Sequence, residues 1–228
     1  MMILSVDTSS NKFSCALLDK GMLVDEFESD SPNRHSSDLI PEIDRLLSKN
    51  SCDIKRIGAL SVGLGPGSFT GLRVGITTMR ALALGLKKPI IGVASIDSLA
   101  YNLLGHEGNI CAIIDAKQKK VYARMYDCKG KKIRPRNRYL LIKPHELIAM
   151  IKKPTMFTGD AIALYREDIE KAAKVPVRFA PEPTWYPKAE IIGRLGWQRL
   201  KLGKKDNVFN LSPIYVYPKE CQVRKKRS

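Results

Sequence analysis

Histidine is nearly absent: His35, His106 and His145 are the only three in 228 residues, and no two stand at i, i+4. That excludes the helical H-E-x-x-H zinc signature, which needs two imidazoles on one helix face. No Ser/His/Asp or Cys/His nucleophile set can be assembled around them, and His35, just ahead of a helix, reads as a polar surface or capping residue. Five cysteines (Cys15, Cys52, Cys111, Cys128, Cys221) are odd in number, lie far apart and form no C-x-x-C pair. They argue against a disulfide framework or a thiolate zinc site and read as buried or surface thiols. Nowhere do about 18 uninterrupted apolar residues occur, the length a membrane helix needs. Asp7 breaks the first apolar run before a signal-peptide core could form, and no basic segment precedes it. A cytosolic protein, neither secreted nor membrane-spanning, is expected.

What is present is an ordinary globular composition, 44% hydrophobic and 27% charged, with a net charge of +16. The length is large for one domain and small for two, so one domain with two lobes is the natural expectation. The charge is unevenly placed. Residues 1–107 carry 11 Lys and Arg against 12 Asp and Glu, whereas residues 108–228 carry 28 against 11. The second part, with Lys117, Lys119, Lys120, Arg124, Lys129, Lys131, Lys132, Arg134, Arg136 and Arg138 interleaved with Tyr122, Tyr126 and Tyr139, reads either as a solvated basic surface or as a polyanion-binding stripe.

Three short strands joined by tight turns (Ile3 to Thr8, Phe13 to Leu18, Met22 to Phe27) predict an antiparallel meander. A polar loop at 28–37 follows. Leu39, Ile40, Ile43, Leu46 and Leu47 then recur with helical spacing; Ser36 or Ser37 is placed to cap this helix, and Pro41 falls early enough to be tolerated. A buried strand, Ile57 to Val62, runs into GLGPGSFTGLRVG, a helix to Leu86, a strand at Ile90 to Val93 and a helix at Ser95 to Leu104. The order is β-β-β-α-β-α-β-α. The later half repeats it: strands at Asn109 to Ile114, Val121 to Tyr126, Arg138 to Leu141 and Thr155 to Thr158, with helices at Pro144 to Ile151 and Ile162 to Ala173. A last helix, Pro187 to Leu202, precedes a tail ending in the basic block Arg224–Arg227. The expected divisions are a first lobe at 1–107, a smaller basic lobe at 108–205 and a tail at 206–228.

Two places could carry chemistry. Asp7-Thr8-Ser9-Ser10 at a strand end resembles the first phosphate hairpin of the actin, sugar kinase and Hsp70 superfamily, yet it lacks glycine and equally reads as a plain polar turn. The loop Gly63 to Gly71, with Gly65 and Gly67 at its centre, joins a strand to a helix, where free N–H groups favour an anion. It is no P-loop, because no lysine follows the glycines. Tight packing of strand on helix explains the same glycines. The helix behind it is apolar on two stripes, with only Arg73 and Arg80 charged, so it is covered on more than one side. Either its own chain sandwiches it, or one side docks a partner. The seam expected for a partner comprises Leu39, Ile43, Leu46, Gly71, Leu72, Gly75, Ile76 and Met79, with the two glycines allowing close helix approach.

With these pieces in view, the chain resembles the bacterial TsaB (YeaZ) family over nearly its whole length. The resemblance lies in ILSVDTSS from Ile3, His35-Ser36 with Leu39, Pro41 and Leu46-Leu47, GPGSFTGLRVG from Gly65, and the Pro89 to Leu99 segment. Asp115-Ala116 before Val121-Tyr122, and Phe157-Thr158-Gly159-Asp160, extend it. It implies a two-lobed actin-like (ASKHA, RNase H-like) α/β fold with duplicated βββαβαβα units. It also implies a part in making N6-threonylcarbamoyladenosine at position 37 of tRNAs that read ANN codons. In that system the related subunit TsaD carries the metal and transfers threonylcarbamoyl, TsaB holds TsaD through two first-lobe helices, and TsaE supplies an ATPase step. The implied role is a non-catalytic scaffold, with a homodimer in the absence of TsaD. Asp7, Thr8, Ser9, Gly65 and Gly67 would be a vestigial phosphate site. No cofactor of its own is implied, and ATP would enter at the level of the complex. The catalytic relative has two histidines where this chain has Ser95 and Leu99, so no metal is expected here. An ATP- or metal-dependent transferase or kinase acting alone, and a tRNA-binding module in the basic lobe, are the alternatives. Departures from the family pattern are Ala161, where many relatives have glycine, and the tail from Tyr215.

Overall fold

The structure, a computed structural model, describes residues 1–29 and 35–216, with the backbone alone at 35 and 36. Cys221, Tyr217-Pro218, the basic block Arg224–Arg227 and the middle of the loop at 28–37 lie outside the described residues. Two compact units are formed: Met1–Ser98 with Pro187–Ile214, and Leu99–Tyr186 with Tyr215 and Val216. Among the described residues no helix is long and apolar enough to cross a membrane.

The first unit is a mixed sheet of β1 (Met2–Asp7), β2 (Ser14–Asp19), β3 (Met22–Glu28), β4 (Ile57–Gly63) and β5 (Ile90–Val93) in the order β3-β2-β1-β4-β5. β1, β2 and β3 pair antiparallel, while β4 and β5 run parallel to β1. The β2–β3 hairpin closes through Lys20 and Gly21, both at positive φ (49° and 82°), the two-residue turn whose twist suits antiparallel strands. Helices α1 (His35–Lys49) and α2 (Phe69–Leu86) cover one face, where Leu4, Val6, Leu60 and Val62 meet Leu39, Ile43, Leu46, Leu72, Ile76 and Met79. A short helix α3 (Ser95–Tyr101) follows β5. The opposite face carries Ile3, Ala16, Leu18, Ala59, Ile91 and Val93. Strands buried on both faces read as continuous apolar runs, which is why these segments show no alternation.

The second unit repeats the plan. It contains β6 (Gly108–Asp115), β7 (Val121–Lys129), β8 (Lys132–Pro135), β9 (Leu140–Ile142), α4 (Pro144–Met150), β10 (Thr155–Thr158), α5 (Ile162–Ala172) and β11 (Val177–Phe179). Its order is β11-β10-β6-β7-β8, with β9 also paired to β7. As in the first unit, the first strand is central, with antiparallel neighbours on one side and parallel ones on the other. The duplication expected from element order is therefore present in the topology. Cys111, Ile113, Val121, Ala123, Leu147, Phe157, Ile162 and Ile169 form its core.

Several expectations need correction. The last helix, α6 (Ala189–Lys201), belongs to the first unit rather than to a lobe at 108–205, because it closes the second face of the first sheet. It lies close through small residues: Ser5 Oγ donates to the Ala189 carbonyl at 2.7 Å and Ser61 Oγ to the Ile192 carbonyl at 2.9 Å. A Cβ at Gly196 would stand 2.3 Å from Ser61 Oγ. Part of the supposed tail is docked as well. Asp206 accepts the Gly92 N–H at 2.8 Å, Leu211 enters the first core, and the Ile214 N–H reaches the Leu64 carbonyl at 2.8 Å. Helix α1 starts at His35, so Ser36 and Ser37 lie inside it, and Ser37 Oγ donates to Asp38 at 2.6 Å instead of capping. Strands β8 and β11 were not anticipated; they have four and three residues, too few to show a period, and β8 is mostly charged residues and proline.

Candidate functional site

Strand β1 ends at the centre of its sheet, so Asp7, Thr8 and Ser9 emerge into packed surroundings, at 1%, 0% and 2% exposure. Both oxygens of Asp7 accept hydrogen bonds from the protein. Oδ1 takes the Ser9 N–H at 2.8 Å and Ser9 Oγ at 2.6 Å, and Oδ2 takes Ser95 Oγ at 2.6 Å. Ser95 Oγ in turn accepts the Gly65 N–H at 3.0 Å, and the Ser95 N–H returns to the Gly65 carbonyl at 2.8 Å. The strand end, the Gly-rich loop and the start of α3 are thereby tied into one knot.

The glycines at positions 63, 67, 71 and 75 all press on this turn. A Cβ would stand 1.9 Å from Asp7 Oδ2 at Gly63, 2.1 Å from the Ser9 carbonyl oxygen at Gly67, 2.1 Å from the Thr8 carbonyl oxygen at Gly71 and 2.2 Å from Thr8 Oγ1 at Gly75. At Gly67 and Gly71 the neighbour is backbone, which cannot yield as a flexible chain end can, and at Gly63 and Gly75 it is a short, buried, hydrogen-bonded side chain. The Ser68 N–H donates to the Ser9 carbonyl at 2.7 Å, and Thr8 Oγ1 to the Gly71 carbonyl at 2.8 Å. Ser68 also caps α2, its Oγ accepting the Gly71 N–H at 3.2 Å. Asp7, Thr8, Ser9, Gly65 and Gly67 are thus brought together, and the Asp7 carboxyl, the Thr8 and Ser9 hydroxyls and the Gly65 N–H are engaged within the chain.

The eight residues expected at a partner seam are buried within the chain, though Ile43 also lines the groove between the helices. Leu39, Ile43, Leu46, Leu72, Ile76 and Met79 are at most 4% exposed in the chain's own core, and Gly71 and Gly75 face Thr8. The sequence could not separate the two apolar stripes of α2, and the glycine stripe turns inward. Different residues face outward: Thr70, Arg73, Thr77, Ala81 and Leu84 on α2, and Ile40 on α1 at 62% exposure. Between the helices runs a groove of about 670 Å³ lined by Ile40, Ile43, Leu47, Thr77, Ala81 and Leu82. Ile40, Ala81 and Leu82 were legible as apolar helix positions; their exposure was not.

Ser95, committed to Asp7 and Gly65, and Leu99, fully buried, offer no imidazole. Among the described residues no three His, Cys, Asp or Glu side chains gather as a metal site. Cys15, Cys52, Cys111 and Cys128 are buried thiols, and burial pushes Cys15 up to about 12. In the second unit Asp160 Oδ1 accepts the Asp115 N–H at 3.0 Å, and burial raises the Asp160 carboxyl to about 6. Asp115 pairs with Lys117 Nζ at 2.7 Å. Gly159 passes 1.9 Å, measured from a built Cβ, from the Ile113 carbonyl oxygen, and Ala161 is fully buried at the entry to α5. The basic residues divide: Lys117 is paired, Arg124 is half-buried over Tyr139 at 4.2 Å, and Lys129, Lys131, Lys132, Arg134, Arg136 and Arg138 are exposed.

Two sheets of the same strand order, each built on a central first strand, define an actin-like α/β protein. A ROK hexokinase from Thermus thermophilus shares this fold, with a TM-score of 0.51 at 12% identity over 89% of this chain and all of that one. The sequence matches the family model for TsaD, tRNA N6-adenosine threonylcarbamoyltransferase, over residues 29–219. The tRNA threonylcarbamoyladenosine biosynthesis protein TsaB of Bacillus subtilis is 32% identical over 229 residues, 98% of this chain and 97% of its own. YeaZ from Pseudomonas aeruginosa superposes with a TM-score of 0.81 at 25% identity, covering 94% of this chain and 99% of that structure. The chain belongs to the TsaB (YeaZ) family of tRNA threonylcarbamoyladenosine biosynthesis.

Proposed function

We propose that this chain is a non-catalytic subunit that binds a TsaD-type transferase through the α1/α2 groove and supports threonylcarbamoylation of adenosine 37 in tRNAs reading ANN codons. The groove is the observation that carries the reading. Ile40, Ile43, Leu47, Ile54, Ala81 and Leu82 give it apolar stretches beside Asp44, Ser48, Asp53, Thr77 and Thr78, and its rim residue Ile40 stands in solvent. Between Phe69 and Leu86 helix α2 has no acidic residue and only Arg73 and Arg80 as charges. Exposed apolar surface of this kind marks a contact site. A relative built on the same fold offers an equivalent helix pair, which packs at an interaxial distance of about 8 to 10 Å. The non-catalytic part of the proposal is supported by the engaged oxygens of Asp7 and by serine and leucine at positions 95 and 99. In this reading TsaE and its ATPase step act on the assembled pair, so ATP enters with the complex.

The test is capture of purified TsaD-type subunit by this chain and by its Ala81→Glu variant. Burying a carboxylate in the groove should weaken capture at least about ten-fold, since an unpaired buried charge costs several kcal/mol, while circular dichroism stays unchanged. Equal capture by the two proteins overturns the groove. Saturable ATP–Mg²⁺ binding with turnover by the isolated chain overturns the non-catalytic assignment.

A further inference from the structure

We infer that one end of the second sheet, centred on the β7–β8 hairpin, is a contact surface for an RNA phosphate backbone. The choice of RNA among polyanions rests on the family's place in tRNA modification; the surface itself is read from the geometry below.

Ladder pairing sets the geometry. Lys129 stands directly opposite Lys132, and Asp127 opposite Arg134. Cys128 and Ile133 are buried, so alternation turns Lys129, Lys132 and Arg134 to the other, exposed face. Lys131 sits in the turn beside Gly130, and Arg136 and Arg138 continue the run. Arg136 is paired with Asp127 at 3.5 Å. Among the described residues Lys129, Lys131, Lys132, Arg134 and Arg138 have no ion pair.

Like charges facing each other across a ladder destabilise a hairpin. The Lys129–Lys132 pair is therefore a cost in the free chain that a bound polyanion would remove. The surface is also held still. The Arg136 N–H donates to the Met125 carbonyl at 2.9 Å, Asn137 Oδ1 accepts the Met125 N–H at 2.8 Å, and Arg124 Nε donates to the Asn137 carbonyl at 3.1 Å. A basic run fixed to a strand gives up less freedom on binding than a mobile tail does.

The same sheet end extends the charge. Asn109 on β6 lies opposite Asp127 on β7 and Thr155 on β10, and Thr155 lies opposite Val177 on β11. This register brings Lys153 and Arg178, both exposed, to the hairpin's end of the sheet, where a cavity of about 570 Å³ is lined by His106, Asn109, Lys153, Met156, Pro176 and Arg178. Among the described residues the acidic groups at this end are Asp127 and Glu107; Glu107 accepts the Gly130 N–H at 2.7 Å. Cations outnumber them, as phosphate binding requires.

The experiment measures fluorescence anisotropy of a labelled tRNA transcript containing A37, titrated with the full chain between 50 and 200 mM salt. A Lys129→Gln/Lys132→Gln/Arg134→Gln variant should bind at least about ten-fold more weakly, and its log K against log salt slope should shrink by about two to three, near one per lost phosphate contact. Lys132→Glu separates binding from folding: it should lower RNA affinity while raising the melting temperature, because it turns a repulsive pair into an attractive one. Capture of the TsaD-type subunit should survive both changes, and Ala81→Glu should leave RNA affinity intact, so this surface and the groove fail independently. Wild-type slope and affinity in the triple variant, a flat salt response of the wild type, or aggregation of the variant with unchanged RNA affinity would each overturn the proposal. The last outcome would make these charges guards of an edge strand.

Discussion

Ser95 Oγ donates to Asp7 Oδ2 at 2.6 Å, joining the end of the first strand to the start of α3 across 88 residues of sequence. The same oxygen accepts the Gly65 N–H, so a single hydroxyl satisfies a buried carboxyl and a buried amide. Ser95→Ala should therefore cost about 2 to 4 kcal/mol, since a hydrogen bond to a carboxylate is worth roughly 1.5 to 3, one from an amide roughly 0.5 to 1.5, and both are lost. Urea denaturation checks it; a midpoint shift worth less than about 0.5 kcal/mol would show that the knot around Asp7 is not needed for stability.

Gly75→Ala should destabilise the chain, because its Cβ would lie 2.2 Å from Thr8 Oγ1 and 3.1 Å from Thr8 Cγ2. Overpacking of this sort costs about 1 to 3 kcal/mol. Thr8→Ala removes both atoms, so the double variant should recover much of the loss. A double-mutant cycle reads the coupling directly. Additive effects would mean that Gly75 meets something other than Thr8.

The α1/α2 groove should also pair with itself when no transferase subunit is available, since an apolar seam fitted to a related fold suits a two-fold contact. Sedimentation at several concentrations should show a dimer for the free chain and a monomer for Ile40→Glu, whose site is 62% exposed and thus alterable without touching the core. A concentration-independent monomer in the wild type ends this expectation.

Asp160 predicts a pH dependence. Burial raises its carboxyl from 3.8 to about 6, outweighing the help of the Asp115 N–H. The folded chain thus holds this proton more tightly than the unfolded chain. Stability from this group is present at about pH 4 and below and is lost as pH rises through about 6. Asp160→Asn keeps an acceptor for the Asp115 N–H and carries no charge. Its advantage over the wild type should grow between pH 4 and 7 by on the order of 1 to 3 kcal/mol, each pH unit between the unfolded and folded values contributing about 1.4. Parallel stability curves for the two proteins would remove Asp160 as the source.

Much of this molecule was legible because its signals are local. The strands at Ile90–Val93 and Thr155–Thr158 were bounded correctly by apolar runs between proline, glycine and serine. The duplicated element order was visible without any residue identity. Direction was harder. The spacing of Gly63, Gly67, Gly71 and Gly75 is plain in the sequence, yet only three dimensions reveal that all four lean on Asp7, Thr8 and Ser9. For the same reason the sequence could not show which stripe of α2 turns inward, since a helix apolar all round carries no mark of which side its own sheet takes. β8 hid because Ile133 is its one buried apolar residue among Lys132, Arg134 and Pro135, a pattern with no period to detect. The affiliation of α6 depends on contacts such as Ser5 with Ala189, 184 positions apart, which no local rule reaches.

That last contact has a consequence for how the protein is made. The face of the first sheet bearing Ile3, Ala16, Leu18, Ala59, Ile91 and Val93 is closed by α6. During synthesis at about 5 to 20 residues per second, the roughly 100 residues between β5 and the end of α6 leave that face waiting for about 5 to 20 seconds. The strands β6 to β11 and helices α4 and α5 of the second unit all lie between β5 and α6 in sequence and are available first. The opening strands of the chain are thus among the last to be sealed, and the nascent first unit is the stage at which chaperones have most to grip.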